Sequence, residues 1–418
     1  MSRETGTRSR DPGDPFGAMP VRSWIAPILS IAGLGLILVL TLNLLGVDLS
    51  IGGGGGPGPG GGDGGNANQT AAPSGVVLPE PAAAFPGSIV YAKGGDIWIQ
   101  TGDKVRRLTA TGLDSMPSWS PDGTTIYFVR TTDDQGLWPS GGTLRRYQMT
   151  VPNIMSIAAD GTGQAQLLRS GKYSQGGKTW FYWLREPVMS PNGKTFALVS
   201  DAPDPTKSDV ILQFWTPATN RSSIPDITEM APLGHQDPTW RPDGKMLFYV
   251  RNAREGAQGT PVIYRWDVVK KTSSPVTGPG YLEPSFSPDG RFIAVTQTNS
   301  FGSDVVVLDA ARGREVLRVT TDHQSWAPVW SPAGDEIAFF HIQGEIVDLK
   351  MVVLDGTGPD WTIKETKALT SVSGLDGSSR PGWFIPADQL PATPAPTSSS
   401  GAPSSDTSSS ATPSASTP

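Results

Sequence analysis

The sequence predicts an all-β fold, a six-bladed β-propeller with velcro closure, preceded by a single transmembrane helix. Three observations lead to this prediction. A strand–turn–strand motif recurs five times, mostly at a spacing of about 45–50 residues, as expected for propeller blades. Incomplete copies of the motif stand at the two ends of the repeated region. An uncharged apolar run lies near the N-terminus.

The apolar run covers residues 24–47 (WIAPILSIAGLGLILVLTLNLLGV). As a helix it would be about 36 Å long, enough to span a bilayer core of about 30 Å. No lysine or arginine follows it until Lys93, whereas four arginines precede it: Arg3, Arg8, Arg10 and Arg22. The positive-inside rule therefore predicts a single-pass protein of the cell membrane, with a cytoplasmic N-terminus and the rest extracytoplasmic.

Two alternatives for this run are a cleaved signal peptide and a buried helix of a soluble domain. The run is longer than the usual apolar region of a signal peptide, and no A-x-A-like cleavage site follows it. A Gly-rich stretch comes next, with no nearby sequence that could form a core around a buried helix. The transmembrane interpretation is therefore favoured.

Composition divides the remaining chain. Residues 1–23 form a short cytoplasmic tail, and residues 48–85 a Gly/Pro-rich linker with a root-mean-square span of roughly 30–35 Å. The propeller is expected over 86–387. Residues 388–418 are rich in Ser, Thr and Pro and cannot bury a core, which predicts a disordered tail.

The five complete repeats share a first strand, a turn of the Pro-Asp-Gly type and a second strand. Their sequences are PSWSPDGTTIYFV (117–129), PVMSPNGKTFALV (187–199), PTWRPDGKMLFYV (238–250), PSFSPDGRFIAVT (284–296) and PVWSPAGDEIAFF (328–340). In the first copy, Pro121 fixes φ for the start of the turn, Asp122 can bond its own backbone, and Gly123 supplies positive φ. The residues after the turn are β-branched and aromatic, which favours a strand.

The two ends of the repeated region complement each other. Residues 88–92 (SIVYA) resemble the second strand of a unit without a first strand, and residues 380–386 (RPGWFIP) resemble a first strand without a second. Together they predict one blade shared by both ends of the domain, which would leave no open sheet edge at the junction. Five complete units and one shared unit give six blades.

The repeated P-x-W-S-P-D-G-x-x-I-A-F pattern resembles the WD40-like (PD40) repeat of TolB-type propellers over about residues 88–386. The resemblance implies the fold and says little about activity, since propellers host many functions. TolB itself has a small α/β domain before its propeller, where this chain has the apolar run and linker, so membership of a Tol–Pal complex is not implied. The G-x-S-x-G motif of propeller peptidases is missing.

Charge and cysteine content exclude several classes. The net charge is −6, which gives no indication of a nucleic-acid partner. The chain contains no cysteine, which excludes disulfides, thiolate metal sites, cysteine nucleophiles and a lipid-bearing cysteine anchor. No cofactor, metal site or catalytic residue is predicted.

The first candidate site is a surplus of about 20–25 residues in the second blade, within 131–152 and 171–184. It contains four consecutive aromatic residues, with two arginines nearby: Trp180, Phe181, Tyr182, Trp183, Arg145 and Arg146. Consecutive strand residues point to opposite faces, so about half of the aromatics would leave the core and could anchor a partner. The alternative is that they only cover the blade surface.

The second candidate site is the mouth of the central channel, where the innermost strands begin. Five side chains could ring this opening: Glu186, His235, Asp237, Glu283 and His323. Such a ring could hold a cation or a basic peptide terminus, but two imidazoles with carboxylates are an incomplete metal set. The alternative is that an acidic residue before proline belongs to the turn chemistry of the repeat.

The favoured function is a membrane-tethered, extracytoplasmic binding or scaffold module for a protein or a cell-envelope polymer. The alternative is an envelope lyase or hydrolase that uses the channel mouth. A third hypothesis is the sensor half of a signalling system, which would need a partner because the tail 1–23 is too short for an output domain.

Overall fold

The computed structural model describes residues 76–77, 84–140, 143–175, 178–202, 210–225, 234–252 and 260–390. Within these ranges no helix is long and apolar enough to cross a bilayer. The predicted transmembrane run 24–47 lies outside them. So do the tail 1–23, most of the linker 48–85 and the C-terminal residues from 391 onward.

The described residues form six antiparallel sheets of four or five strands and one two-stranded hairpin. Blade 1 contains the strands that begin the domain: β1 (Val76–Val77), β2 (Ser88–Lys93), β3 (Asp96–Thr101) and β4 (Lys104–Arg107). Blade 2 contains β5 (Asp114–Trp119), β6 (Thr125–Ser140), β7 (Thr143–Ala158) and β8 (Gln166–Ser170). The hairpin β9 (Lys172–Gln175) and β10 (Lys178–Phe181) follows blade 2.

The remaining blades repeat the same four-strand order. Blade 3 contains β11 (Arg185–Met189), β12 (Phe196–Ser200), β13 (Ile211–Thr216) and β14 (Arg221–Ser223). Blade 4 contains β15 (His235–Trp240), β16 (Met246–Asn252), β17 (Pro261–Asp267) and β18 (Thr272–Pro275). Blade 5 contains β19 (Tyr281–Phe286), β20 (Phe292–Asn299), β21 (Gly302–Asp309) and β22 (Glu315–Arg318).

Blade 6 contains β23 (Ser325–Trp330), β24 (Glu336–Gln343), β25 (Ile346–Asp355) and β26 (Thr362–Ala368). The last strand, β27 (Gly382–Phe384), returns to blade 1. Short 3₁₀ turns cover Pro217–Thr219 and Ala387–Gln389.

The predicted closure of the propeller is confirmed in blade 1. Strand β27 pairs with β2, with Trp383 opposite Ile89. The Trp383 ring packs edge-on against Phe85 at 5.7 Å between centroids, and its indole N–H donates to the Pro86 carbonyl at 2.9 Å. The structure adds β1, which pairs with β4 and extends the blade to five strands, within the region predicted as linker.

The turn between the first two strands of a blade follows the predicted chemistry. In blade 2, Asp122 accepts hydrogen bonds from the Ser120 hydroxyl at 2.6 Å and from the Thr124 N–H at 3.1 Å. Gly123 has φ +70° and donates its N–H to the Ser120 carbonyl at 3.0 Å. The serine, the acidic residue and the glycine together fix the reversal of the chain.

The hydrophobic core lies between successive blades. In β16, Phe248 and Val250 pack toward blade 5, whereas Leu247 and Tyr249 pack toward blade 3. This alternation is the two-residue period of a strand that is covered on both faces. Each blade is therefore held mainly by its neighbours, and the inner ends of the blades surround a central cavity.

Two faces of the disc follow from the strand order. Each first strand begins at one face, here called the entry face, which also carries the loops between second and third strands. The opposite face, here called the turn face, carries the Pro-Asp-Gly turns and the loops between third and fourth strands. A residue's place in its blade therefore decides the face on which it lies.

Candidate functional site

Strands β6 and β7 of blade 2 form an arm beyond the entry face. Strand β6 pairs with β5 only as far as Arg130, whose guanidinium makes a bidentate ion pair with Asp114 at 2.6 and 2.8 Å. The next ten residues of β6 pair with β7 alone. At about 3.3 Å per residue this ribbon extends about 30 Å beyond the sheet.

The β9–β10 hairpin lies against the base of this arm. The Phe181 ring occupies the space above Gly136, where an added Cβ would come within 1.6 Å of the ring. Lys172 of the hairpin makes an ion pair with Asp134 of the arm. Both segments of the blade 2 surplus therefore form one structure, here called the aromatic arm (residues 131–152 and 171–184).

The four consecutive aromatic residues have different surroundings. Phe181 is buried, and Tyr182 stacks on Tyr173 with ring centroids 4.0 Å apart and planes parallel within 1°. Burial raises the pKa of Tyr182. Trp180 is half-buried, and Trp183 is 55% exposed although its backbone N–H is held by the Asp201 carboxylate at 2.7 Å.

Trp183 is therefore the aromatic of this run that remains most available to a partner, while Phe181 serves packing. The arginines of the arm, Arg145 and Arg146, are both exposed. Two apolar side chains beside them are also exposed, Leu144 at 36% and Tyr147 at 39%. Leu144 was not singled out from the sequence, because a lone leucine gives no signal until the length of the arm is known.

The central cavity has a volume of about 550 Å³ and is lined by first strands from all six blades. In five blades the residue before the first-strand proline forms a β-bulge with left-handed φ between +50° and +55°. These bulge residues are Met116, Glu186, Asp237, Glu283 and Ala327. A bulge of this kind interrupts the alternation of side chains between the two faces of the strand and changes the direction in which its own side chain points.

Three predicted carboxylates form a chain of hydrogen bonds from blade to blade. Glu186 accepts the N–H of Asp237, and Asp237 accepts the N–H of Glu283 at 3.1 Å. Glu283 accepts the N–H of Ala327 at 2.8 Å and the Thr296 hydroxyl at 2.6 Å. Each carboxylate thus ties its own blade to the next one around the axis.

Arg380 provides the counter-charge for these groups and was not singled out from the sequence. It precedes Pro381, so it occupies in blade 1 the position that the bulge residues hold in the other blades. From there it reaches across the axis to blades 4 and 5. Its guanidinium lies 3.9 Å from Asp237 and donates to the Pro284 carbonyl at 2.6 Å.

Burial raises the pKa of both Glu186 and Glu283 to about 7, and the charge of Asp237 adds to the effect. Burial also raises the pKa of Asp237, although Arg380 opposes this shift. Glu186 and Glu283 are therefore partly protonated near neutral pH. The cavity lining therefore combines the three predicted carboxylates with one cation, Arg380, that the sequence analysis did not indicate.

The two predicted histidines do not line this cavity. His235 is buried, its Nδ1 accepts the Leu212 N–H at 2.8 Å, and burial lowers its pKa to about 3. His323 turns toward Asp304, 2.7 Å from its Nδ1. Among the residues that the structure describes, no three His, Asp or Glu side chains are arranged to hold a metal ion.

No known family model matches the chain. The chain is 26% identical over 239 residues to the uncharacterized protein Atu1656 of Agrobacterium fabrum. That alignment covers 56% of this chain and 68% of Atu1656. The structure of this chain resembles TolB from Acinetobacter baumannii with a TM-score of 0.50 and 18% identity. That match covers 71% of this chain and 66%, just under two thirds, of the TolB chain.

A second solved structure, of a protein assigned as a TolB from Agrobacterium tumefaciens, has a TM-score of 0.49 and 16% identity. It covers 73% of this chain and 96% of its own chain. At these identities the likeness concerns the fold alone. The prediction of a TolB-like six-bladed propeller is confirmed at that level.

Proposed function

We propose that this chain is a membrane-tethered binding module whose aromatic arm recognises a protein partner on the entry face of the propeller. The observation that carries the proposal is the arm itself. Its strands β6 and β7 have 16 residues each, whereas the second strands of blades 4, 5 and 6 have seven or eight. The strand pair that closes the propeller, β2 with β27, includes none of this extra length.

The surface of the arm suits recognition. Trp183, Tyr147 and Leu144 present apolar area to solvent, and Arg145 and Arg146 add cationic groups beside it. Aromatic and arginine side chains dominate the binding energy of protein interfaces because they bury large areas at little cost in conformational entropy. The stacking of Tyr173 on Tyr182 holds the hairpin before any partner binds.

The backbone of the arm favours a polypeptide over an envelope polymer. Within the described residues, β7 has no strand partner on its outer edge from Leu144 to Thr150. Such an edge exposes a row of N–H and C=O groups that an extended peptide can pair with. A polysaccharide could use the aromatic surface but has no backbone amides to extend the sheet.

Capture from solubilised cells tests the proposal. The full chain is used as bait beside a Tyr147→Ala/Trp183→Ala variant, which removes exposed aromatic surface and leaves the buried Phe181 in place. Phe301→Ala is the matched control, because Phe301 is 82% exposed on the same face but belongs to blade 5. We expect a protein retained by the wild type and the control and lost from the arm variant. Equal retention by all three would contradict the assignment.

The tether is part of the same proposal and rests on residues 24–47 and the arginines before them. The chain has no cysteine, so one introduced thiol can report location. Val269 is 75% exposed on the turn face. We expect the Val269→Cys variant in intact cells to react with a membrane-impermeant maleimide. The labelled protein should then be found in the membrane fraction. Labelling only after lysis would contradict an extracytoplasmic propeller.

A further inference from the structure

A second cavity, of about 630 Å³, opens on the turn face between blades 4 and 5, opposite the aromatic arm. Its size lies in the range of pockets that bind small organic molecules. Its lining combines aromatic rings with four arginines, and the cavity is here called the arginine pocket. The four are Arg241, Arg265, Arg291 and Arg314.

The floor of the arginine pocket is the outer end of the core between the two blades. Phe248 and Phe286 are buried and meet with ring centroids 4.6 Å apart. Phe292 is also buried, and Met246 completes the apolar surface. A flat ring placed on this floor would exchange water for aromatic contact.

Arg241 departs from the repeat. At its position the other four complete repeats have serine: Ser120, Ser190, Ser287 and Ser331. In blade 2 that serine hydroxyl bonds the turn carboxylate, and Arg241 bonds Asp243 instead, through Nε at 2.9 Å and Nη2 at 2.6 Å. Its stem lies against Gly290 of the next blade, which brings the side chain to the pocket.

Arg265 also departs from the repeat. It pairs across the strands with Phe248 and so faces the core between blades 4 and 5. The other complete blades place Ser156, Phe214, Val307 and Met351 at this register position. Arg265 donates to the Ser274 hydroxyl at 2.9 Å and to the Ala311 carbonyl at 3.2 Å. The blade fold therefore does not require an arginine at the position of Arg265.

The other two arginines are exposed at the rim. Arg291 lies over the Phe292 ring at 5.2 Å and its Nη1 is 3.9 Å from the Asp289 carboxylate, whereas Arg314 has no side-chain partner among the described residues. Two carboxylates also line the pocket. Asp309 caps its own turn by accepting the Ala311 N–H at 2.7 Å and the Arg312 N–H at 3.3 Å.

Glu315 pairs with Arg318, which lies outside the lining, at 2.8 Å. The lining thus carries four guanidinium groups and two carboxylates that are already engaged. Arg241 and Arg291 also have acidic partners outside the lining, Asp243 and Asp289. Among the described residues Arg265 and Arg314 have no acidic partner, so these two supply the unbalanced positive charge. We propose that the arginine pocket binds a small organic anion, a flat ring that carries a phosphate or carboxylate group. The ring lies on the phenylalanine floor, and the anionic group takes charge-assisted hydrogen bonds from the arginines.

Isothermal titration of the full chain with four probes tests this assignment: phenyl phosphate, benzoate, phenol and inorganic phosphate. We expect one of the two ring anions to bind saturably at one site per chain. Phenol lacks the charge and inorganic phosphate lacks the ring, so each should bind at least tenfold more weakly. The tighter of phenyl phosphate and benzoate identifies the anionic group.

The repeat supplies variants that the fold accepts. Arg241→Ser restores the residue of the other four repeats, and Arg265→Met gives the residue of blade 6. Each should weaken binding of the ring anion at least tenfold, whereas Arg146→Ser on the opposite face should leave it unchanged. The proposal is overturned if neither ring anion binds saturably, if phenol binds equally well, or if both pocket variants retain full affinity. A failure here leaves the partner of the aromatic arm unaffected.

Discussion

Replacing Arg380 by methionine should destabilise the propeller in a pH-dependent way. The guanidinium lies 3.9 Å from the Asp237 carboxylate. At an effective dielectric constant of about 20, two unit charges at this separation interact by about 4 kcal/mol. Removing one member of a buried pair typically costs about 3–5 kcal/mol, because the remaining charge has no partner.

The sign of the pH effect follows from the carboxylates. The pKa of Glu186 and Glu283 is raised from 4.5 in the unfolded chain to about 7 in the folded one. The folded protein then holds protons that the unfolded chain has released, so the free energy of unfolding falls as pH rises from about 4.5 to about 7. Without Arg380 the charged carboxylates are less stable still, and this fall should become steeper and extend to higher pH.

Urea unfolding of the full chain, followed by tryptophan fluorescence at pH 5 and pH 8, measures the effect. We expect Arg380→Met to lose about 3–5 kcal/mol at pH 8. At pH 5 we expect about 1–2 kcal/mol, mainly from the lost hydrogen bond to the Pro284 carbonyl. Adding Glu283→Gln to Arg380→Met should recover part of the loss at pH 8 only.

An equal loss at both pH values would refute the electrostatic reasoning, since it would mean that Arg380 acts through packing alone. No loss at pH 8 would refute it as well. Recovery by Glu283→Gln at pH 5 would show that the effect of that residue is not tied to its charge.

Three further predictions concern single residues. Gly136→Val should displace Phe181, because its Cβ would meet the ring, and hydrogen exchange should quicken in the β9–β10 hairpin but not in blades 4–6. Trp383→Ala should lower the free energy of unfolding by about 3–5 kcal/mol in urea titrations, because it empties the closing blade. Arg241→Ser should change the thermal midpoint by only a few degrees, since four other turns already contain serine.

The repeated turn made the fold predictable from the sequence. Pro121, Asp122 and Gly123 each impose a local conformation, and five copies in register left few alternatives to a propeller. The closure by β2 and β27 was also predictable, because the missing first strand at one end matched the extra one at the other. Strand β1 was not predictable, since two valines in a Gly/Ala/Pro-rich stretch give no periodic hydrophobic pattern.

The candidate sites were less predictable because they depend on where bulges turn side chains. Sequence placed Glu186, Asp237 and Glu283 together, since all three precede an equivalent proline. It grouped His235 with them, yet that side chain lies within the core beside Tyr249, at 4.9 Å between ring centroids. Nor could sequence show that Phe181 would be covered, because the contact with Gly136 joins two separate insertions.

The measurement that tests the proposed function most directly is photo-crosslinking from the arm in living cells. A photoreactive phenylalanine analogue is placed at Trp183 in one full-length variant and at Val269, exposed on the turn face, in another. We expect one protein adduct from position 183 and none from position 269. The same adduct from both positions, or a Trp183 variant that forms no protein adduct, would contradict recognition through the aromatic arm.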